Sequence, residues 1–166
     1  IMDENAVHLD VYQYEGNTRR CESYFNGKHS PITDAKKDKG YSQAWLHHKG
    51  RNKHHTDYWV DLSAPDKTPI IPYPYVAEML CDKLAAGLIY KGKEWTKGYE
   101  LEYWVNERDK TLVNDQVEAL ITEFLTQVSK DGIDKVLTKK NVKALYKKYC
   151  SPERRNEVTR EYANKE

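Results

Sequence analysis

Apolar residues recur along this chain at intervals of three and four, the spacing of one face of an α-helix. The clearest stretch runs from Tyr75 to Leu88, where Val76, Met79, Leu80, Leu84 and Ala85 fall at core-like positions. Pro74 suits its first turn and Gly87 its end. A second stretch starts at Asn114, a good N-cap, and carries Val117, Leu120, Ile121, Phe124 and Val128 until Gly132 breaks it. Thr138 then opens a basic helix with Val142, Leu145 and Tyr146. Shorter helices are predicted over 15–25, ended by Asn26-Gly27, from Tyr41 to about Lys49, where Gly50 stops or bends the chain, and over 99–108. Residues 52–60 read as a further short helix or a tight continuation. The polar stretch before Gly40, with Lys36, Lys37, Asp38 and Lys39, reads as a loop. Pro65, Pro69, Pro72 and Pro74 exclude regular helix over 61–74. No alternating strand pattern, internal repeat or Gly-rich phosphate loop interrupts this. The expected fold is all-α, a single-domain helical bundle over 1–150 with a charged tail over 151–166.

Length and composition agree with one domain: 166 residues are enough to bury a sizeable core. Thirteen tyrosines and four tryptophans against two phenylalanines give that core many rings that need a polar outlet for O–H or N–H. A net charge of +1 gives no global argument for nucleic acid, membrane or acidic partners, and a nucleic-acid binder is the least favoured reading. No apolar run reaches the ~20 residues of a membrane span. Cys21, Cys81 and Cys150 are odd in number and free of CxxC spacing, which points to reduced thiols and a cytoplasmic protein.

Candidate chemistry concentrates in one block. Trp45-Leu-His-His-Lys-Gly-Arg-Asn-Lys-His-His-Thr-Asp-Tyr-Trp59 holds four of the six histidines. Imidazole is the commonest protein metal ligand. On an unbroken helix His48, Asn52 and His55 share a face, with His48 and His55 two turns, about 10 Å, apart. That is too far for one ion unless the backbone bends at Gly50, or unless the two serve neighbouring ions. His47 and His54 form a second pair rotated roughly 100° away, so one pair is expected to work and the other to be peripheral. Carboxylates to balance an ion are available at Glu78 and Asp82, four apart on the most apolar helix, and at Asp10 beside His8. The expected ligands are thus His48, His55, Asp82, His8 and Asp10, with His54 and Glu78 in catalytic roles. Asn52, Lys49, Arg51 and Lys53 would bind substrate. A divalent ion would acidify its water and polarise a phosphoryl oxygen, and the lysines and arginine would receive an anion. The competing reading of the same residues is a solvated basic face.

The block Trp45-Leu-His-His-Lys-x-x-Asn-x-His-His-x-x-Tyr-Trp59 with Glu78-Met-Leu-Cys-Asp82 resembles a domain of unknown function found in small phage and bacterial proteins and often labelled catalase. The resemblance covers roughly residues 8–113. Where that family carries His-Asp-x-Ser-Lys-Tyr and then Tyr-Phe, this chain has His8-Leu-Asp-Val-Tyr-Gln-Tyr14 and Tyr24-Phe25, with Leu9 separating His from Asp. The order of His-Asp, mid-chain histidines and a later acid is similar to that of HD-type metal phosphohydrolases. The resemblance implies an HD-like helical arrangement with a site between helices, and a metal-dependent hydrolase of a phosphate ester such as a nucleotide or cyclic nucleotide. No haem is expected. The alternative is a phage protein that sequesters a nucleotide or blocks a host factor without turnover. A homo-oligomer is compatible with either.

Overall fold

In a computed structural model of the chain, the described residues are 31–151. Every regular element among them is helical, as the spacing of apolar residues predicts. The seven α-helices are α1 (Pro31–Lys39), α2 (Gln43–Arg51), α3 (Tyr73–Lys91), α4 (Tyr99–Glu107), α5 (Asp115–Asp131), α6 (Ile133–Val136) and α7 (Lys139–Cys150). His8, Asp10, the 15–25 stretch and the tail beyond Ser151 lie outside the described residues.

The core forms where the pattern is strongest. Val117, Leu120, Ile121, Phe124, Leu125 and Val128 line one face of α5, and all are essentially inaccessible. They meet Val76, Met79, Leu80 and Leu84 of α3, Trp104 of α4, and Val142 and Leu145 of α7. Each such side chain contributes about 1.5–3 kcal/mol by leaving water. The caps are local chemistry. Asn114 Oδ1 accepts from Gln116 N at 3.0 Å, and Thr138 Oγ1 from Asn141 N at 3.2 Å. Gly132 takes φ +85°, which ends α5.

Polar outlets of the rings tie the elements together. The Trp104 indole donates to Thr122 at 2.9 Å, and the Tyr146 hydroxyl to the Ile71 carbonyl at 2.9 Å. The second bond fastens the proline-rich segment onto α7. Asn114 Nδ2 reaches the same segment at Thr68 O, 2.9 Å away.

Two expectations are corrected. Lys36–Lys39 is not loop but the end of α1: Asp34 in its first turn and lysines in its last match the helix dipole, so a helix survives with Ala35 as its buried residue. Gly40, at φ +82°, stops it. Gly87 does not end α3, which continues to Lys91. Gly87 is buried, and a Cβ there would lie 1.4 Å from Glu100 Oε1. Glycine is present so that α4 can seat a carboxyl against α3. Burial pushes the Glu100 carboxyl above the usual carboxylate range, while the Trp95 indole N–H and the Lys83 ammonium draw it partly back. Among the described residues, no helix is long and apolar enough to cross a membrane.

Candidate metal centre

The histidine block is built by a helix that stops and a chain that doubles back. Ser42 caps α2, its Oγ accepting from Trp45 N at 3.2 Å, and Ala44 and His48 follow four apart on the buried face. The helix passes through Gly50 and ends at Arg51. Asn52 leaves it in an extended conformation (φ −107°, ψ 111°). A tight turn, with His55 N donating to Asn52 O at 3.1 Å, returns His54 and His55 to His48. A 3-10 turn over Thr56–Trp59 follows. There the Trp59 indole donates to Lys53 O at 2.7 Å, and its ring packs 5.7 Å from that of Tyr75 on α3.

The 10 Å separation expected on an unbroken helix therefore does not arise, and the bend lies at Asn52 rather than Gly50. The His48 and His55 rings are 4.9 Å apart between centroids, and those of His54 and His55 4.5 Å. Among the described residues, ring nitrogens of His48, His54 and His55 lie within 4.8 Å of one another, the arrangement that can hold a metal ion. His48 is fully buried, His54 is 4% exposed, and the Nε2 atoms of all three are shielded from water. A tetrahedral ion at 2.0–2.1 Å from each nitrogen sets them about 3.4 Å apart, so the cluster needs to close by about 1.4 Å at most. The donor set fits a borderline-soft divalent ion such as zinc.

The surrounding contacts orient the rings. Glu78 Oε1 lies 3.3 Å from His54 Nδ1, and the opposite nitrogen of that ring, Nε2, is buried. Glu78 is 59% exposed, so this acid backs the site from the solvent side. Asn52 Nδ2 donates to the His48 carbonyl at 2.7 Å and faces His48 Nδ1 at 3.3 Å. Trp45 covers the cluster, its ring stacked 5.9 Å from His48 and edge-on 5.3 Å from His55.

Of the residues singled out in the sequence, His48, His54 and His55 come together, with Glu78 touching them through His54. Asp82 lies one turn further along α3 and is not in the cluster. His47 is outside it, 3.2 Å from Arg51 Nη1. Lys49 pairs with Asp57 at 3.0 Å, and Lys53 lies over the Tyr75 ring at 5.3 Å. Asn52, expected to meet substrate, engages His48 through its side-chain amide. Trp45 as a wall of the cluster and Asp57 as the partner of Lys49 went unread. Trp45 was within reach of the sequence, being three residues before His48 on one helix.

An all-α protein with three inward-facing imidazoles, one of them backed by a carboxylate, is the class that fold and site define. The chain belongs to a family of unknown function (DUF5662), which matches residues 11–127. That span takes in the histidine block, Glu78 and Asp82, and begins after His8 and Asp10. No curated protein and no solved structure matches the chain.

Proposed function

We propose that the protein is a metal-dependent hydrolase of a phosphate ester, with a nucleotide or cyclic nucleotide as the substrate class. The observation that carries this reading is the convergence of three imidazole nitrogens within 4.8 Å. Three-ligand sets that leave a fourth position to water are the arrangement of hydrolytic zinc centres. The ion's contribution is Lewis acidity and a lowered pKa for the water it binds. The chain supplies the rest. Glu78, 3.3 Å from His54 Nδ1, stands where carboxylates behind ligating histidines orient the ring. Asp82, four residues on, is the second acid on that face of α3. Lys49, Arg51 and Lys53 line the chain around the turn, and a phosphate would draw Lys49 away from Asp57. The order of these residues along the chain, similar to that of HD-type phosphohydrolases, supports the phosphoester class by analogy.

The test is turnover. The purified chain, supplied with zinc, manganese or magnesium, is assayed against nucleoside mono-, di- and cyclic phosphates and a chromogenic phosphodiester. Metal-dependent phosphate or nucleoside release that His54→Ala abolishes supports the reading. Metal bound without turnover of any member contradicts it. A second reading draws on the depth of the cluster, with His48 fully buried: a binding protein in which the ion holds the turn and a nucleotide or host factor is captured unchanged.

A further inference from the structure

A net charge of +1 makes no case for an anionic partner, but the distribution of that charge does. From Lys135 to Pro152 the chain carries six lysines and no acid, although acids are nearly as common as bases over the whole sequence. Helical geometry sorts the lysines of α7. Val142 and Leu145 are buried, so the apolar face of the helix is taken up by the core. Lys139, Lys140, Lys143 and Lys147 fall within an arc of roughly 100° on another side, and all four are exposed. Lys148 stands apart from them, bonded to Glu123 Oε2 at 2.6 Å. None of the four is in an ion pair among the described residues. Lys143 lies over the Tyr73 ring at 5.9 Å.

The row from Lys139 to Lys147 is about 12 Å long at the helical rise of 1.5 Å per residue. Over that length one strand of a duplex presents about three or four phosphates. The rest of the helix separates this partner from the others a basic row could meet. A helix that lies in a membrane surface inserts an apolar face beside its lysines, and here that face is in the core. A single strand is held by rings on which its bases stack. The rings of α7 are turned to other work: the Tyr146 hydroxyl donates to Ile71 O and the Tyr149 hydroxyl to Glu123. What the face offers is closely spaced ammonium groups without a stacking platform. We propose that the exposed lysine face of α7 docks the phosphate backbone of a nucleic-acid duplex without reading its sequence. The proposal does not depend on the metal reading. With so little net charge behind it, the contact falls in the range of sequence-independent binding, a Kd of about 10⁻⁴ to 10⁻⁶ M.

Fluorescence anisotropy of a labelled DNA duplex, titrated with the full chain over a series of salt concentrations, tests this. Four phosphate contacts predict that log K falls against log salt with a slope of about −3 to −4, alike for two unrelated sequences. Replacing Lys140, Lys143 and Lys147 together by Gln is expected to flatten the slope by nearly 3, about one for each contact, with the circular dichroism unchanged. Replacing Lys37, Lys67 and Lys93 by Gln removes the same charge from exposed positions elsewhere and is expected to leave the slope as it was. No binding at low salt, an unchanged slope in the α7 variant, or an equal change in the control variant overturns the proposal. So does tighter binding to a single strand, to polyglutamate or to vesicles containing phosphatidylserine than to the duplex.

Discussion

Replacing Gly87 by alanine tests whether α3 and α4 meet as described. In an exposed helix the change would stabilise, because glycine is about 1 kcal/mol poorer than alanine in a helix interior. Here the added Cβ would fall 1.4 Å from Glu100 Oε1, 2.6 Å from its Cδ and 3.3 Å from the Trp95 indole nitrogen. The carboxyl has to leave its seat, and forcing an extra carbon into a packed contact costs about 1–3 kcal/mol, against which the propensity gain of about 1 kcal/mol is set. The expected net effect of Gly87→Ala is a loss of up to about 2 kcal/mol, and for a chain of this size a fall in Tm of up to about 8 °C. Urea unfolding followed by circular dichroism reads it directly. Glu100→Ala in the same background removes the obstructing group, so the double variant is expected to recover most of the loss relative to Glu100→Ala alone. A Gly87→Ala protein more stable than the parent would refute the reasoning, since it would show that the glycine is not reserved for the Glu100 carboxyl.

Other consequences are equally direct. Glu100 has a folded pKa above its ordinary 4.5, so the native state keeps a proton that the unfolded chain releases once pH passes that value. Stability is therefore lost as pH rises through the folded pKa, and Glu100→Gln is expected to gain on the parent between pH 4 and pH 8; an unchanged difference in urea midpoints across that range contradicts the shift. Asn114→Ala removes both the α5 cap and the bond to Thr68 O, with an expected cost of about 1–2 kcal/mol in denaturant unfolding. Asn114→Asp keeps the cap and loses only the donor to Thr68, so it should fall between the two; equal loss in both variants would show that the cap contributes nothing. Phe124→Ala, at the centre of the core, is expected to lose about 3–5 kcal/mol, and a loss under 1 kcal/mol would place Phe124 outside it.

The large helices were legible because their apolar spacing is their packing. Val76, Met79, Leu80 and Leu84, and then Val117 through Val128, are buried as the sequence spacing requires. Caps were legible for the same local reason, as Asn114, Thr138 and Gly132 show. Helix α1 was not, because its stability comes from charges placed along a dipole while, among its described side chains, only Ala35 is buried. Gly87 misled because its reason lies 13 residues away, in a carboxyl on another helix. The histidine block was legible as a set of residues and not as a geometry. Helical spacing assigns His54 and His55 to different faces, and only the extended backbone at Asn52 lets both return to His48. Nothing in the residue types places the bend two positions beyond Gly50.

The central claim is that His48, His54 and His55 form a metal centre. Zinc titration of the full chain after removal of metal by chelator, followed by elemental analysis of the desalted complex, tests it most directly. The account predicts one zinc per chain, with the ion lost in His54→Ala and in His55→Ala, both still helical by circular dichroism, and retained in His47→Ala. No zinc retained by the parent, or retention undiminished in His54→Ala and His55→Ala, would contradict it.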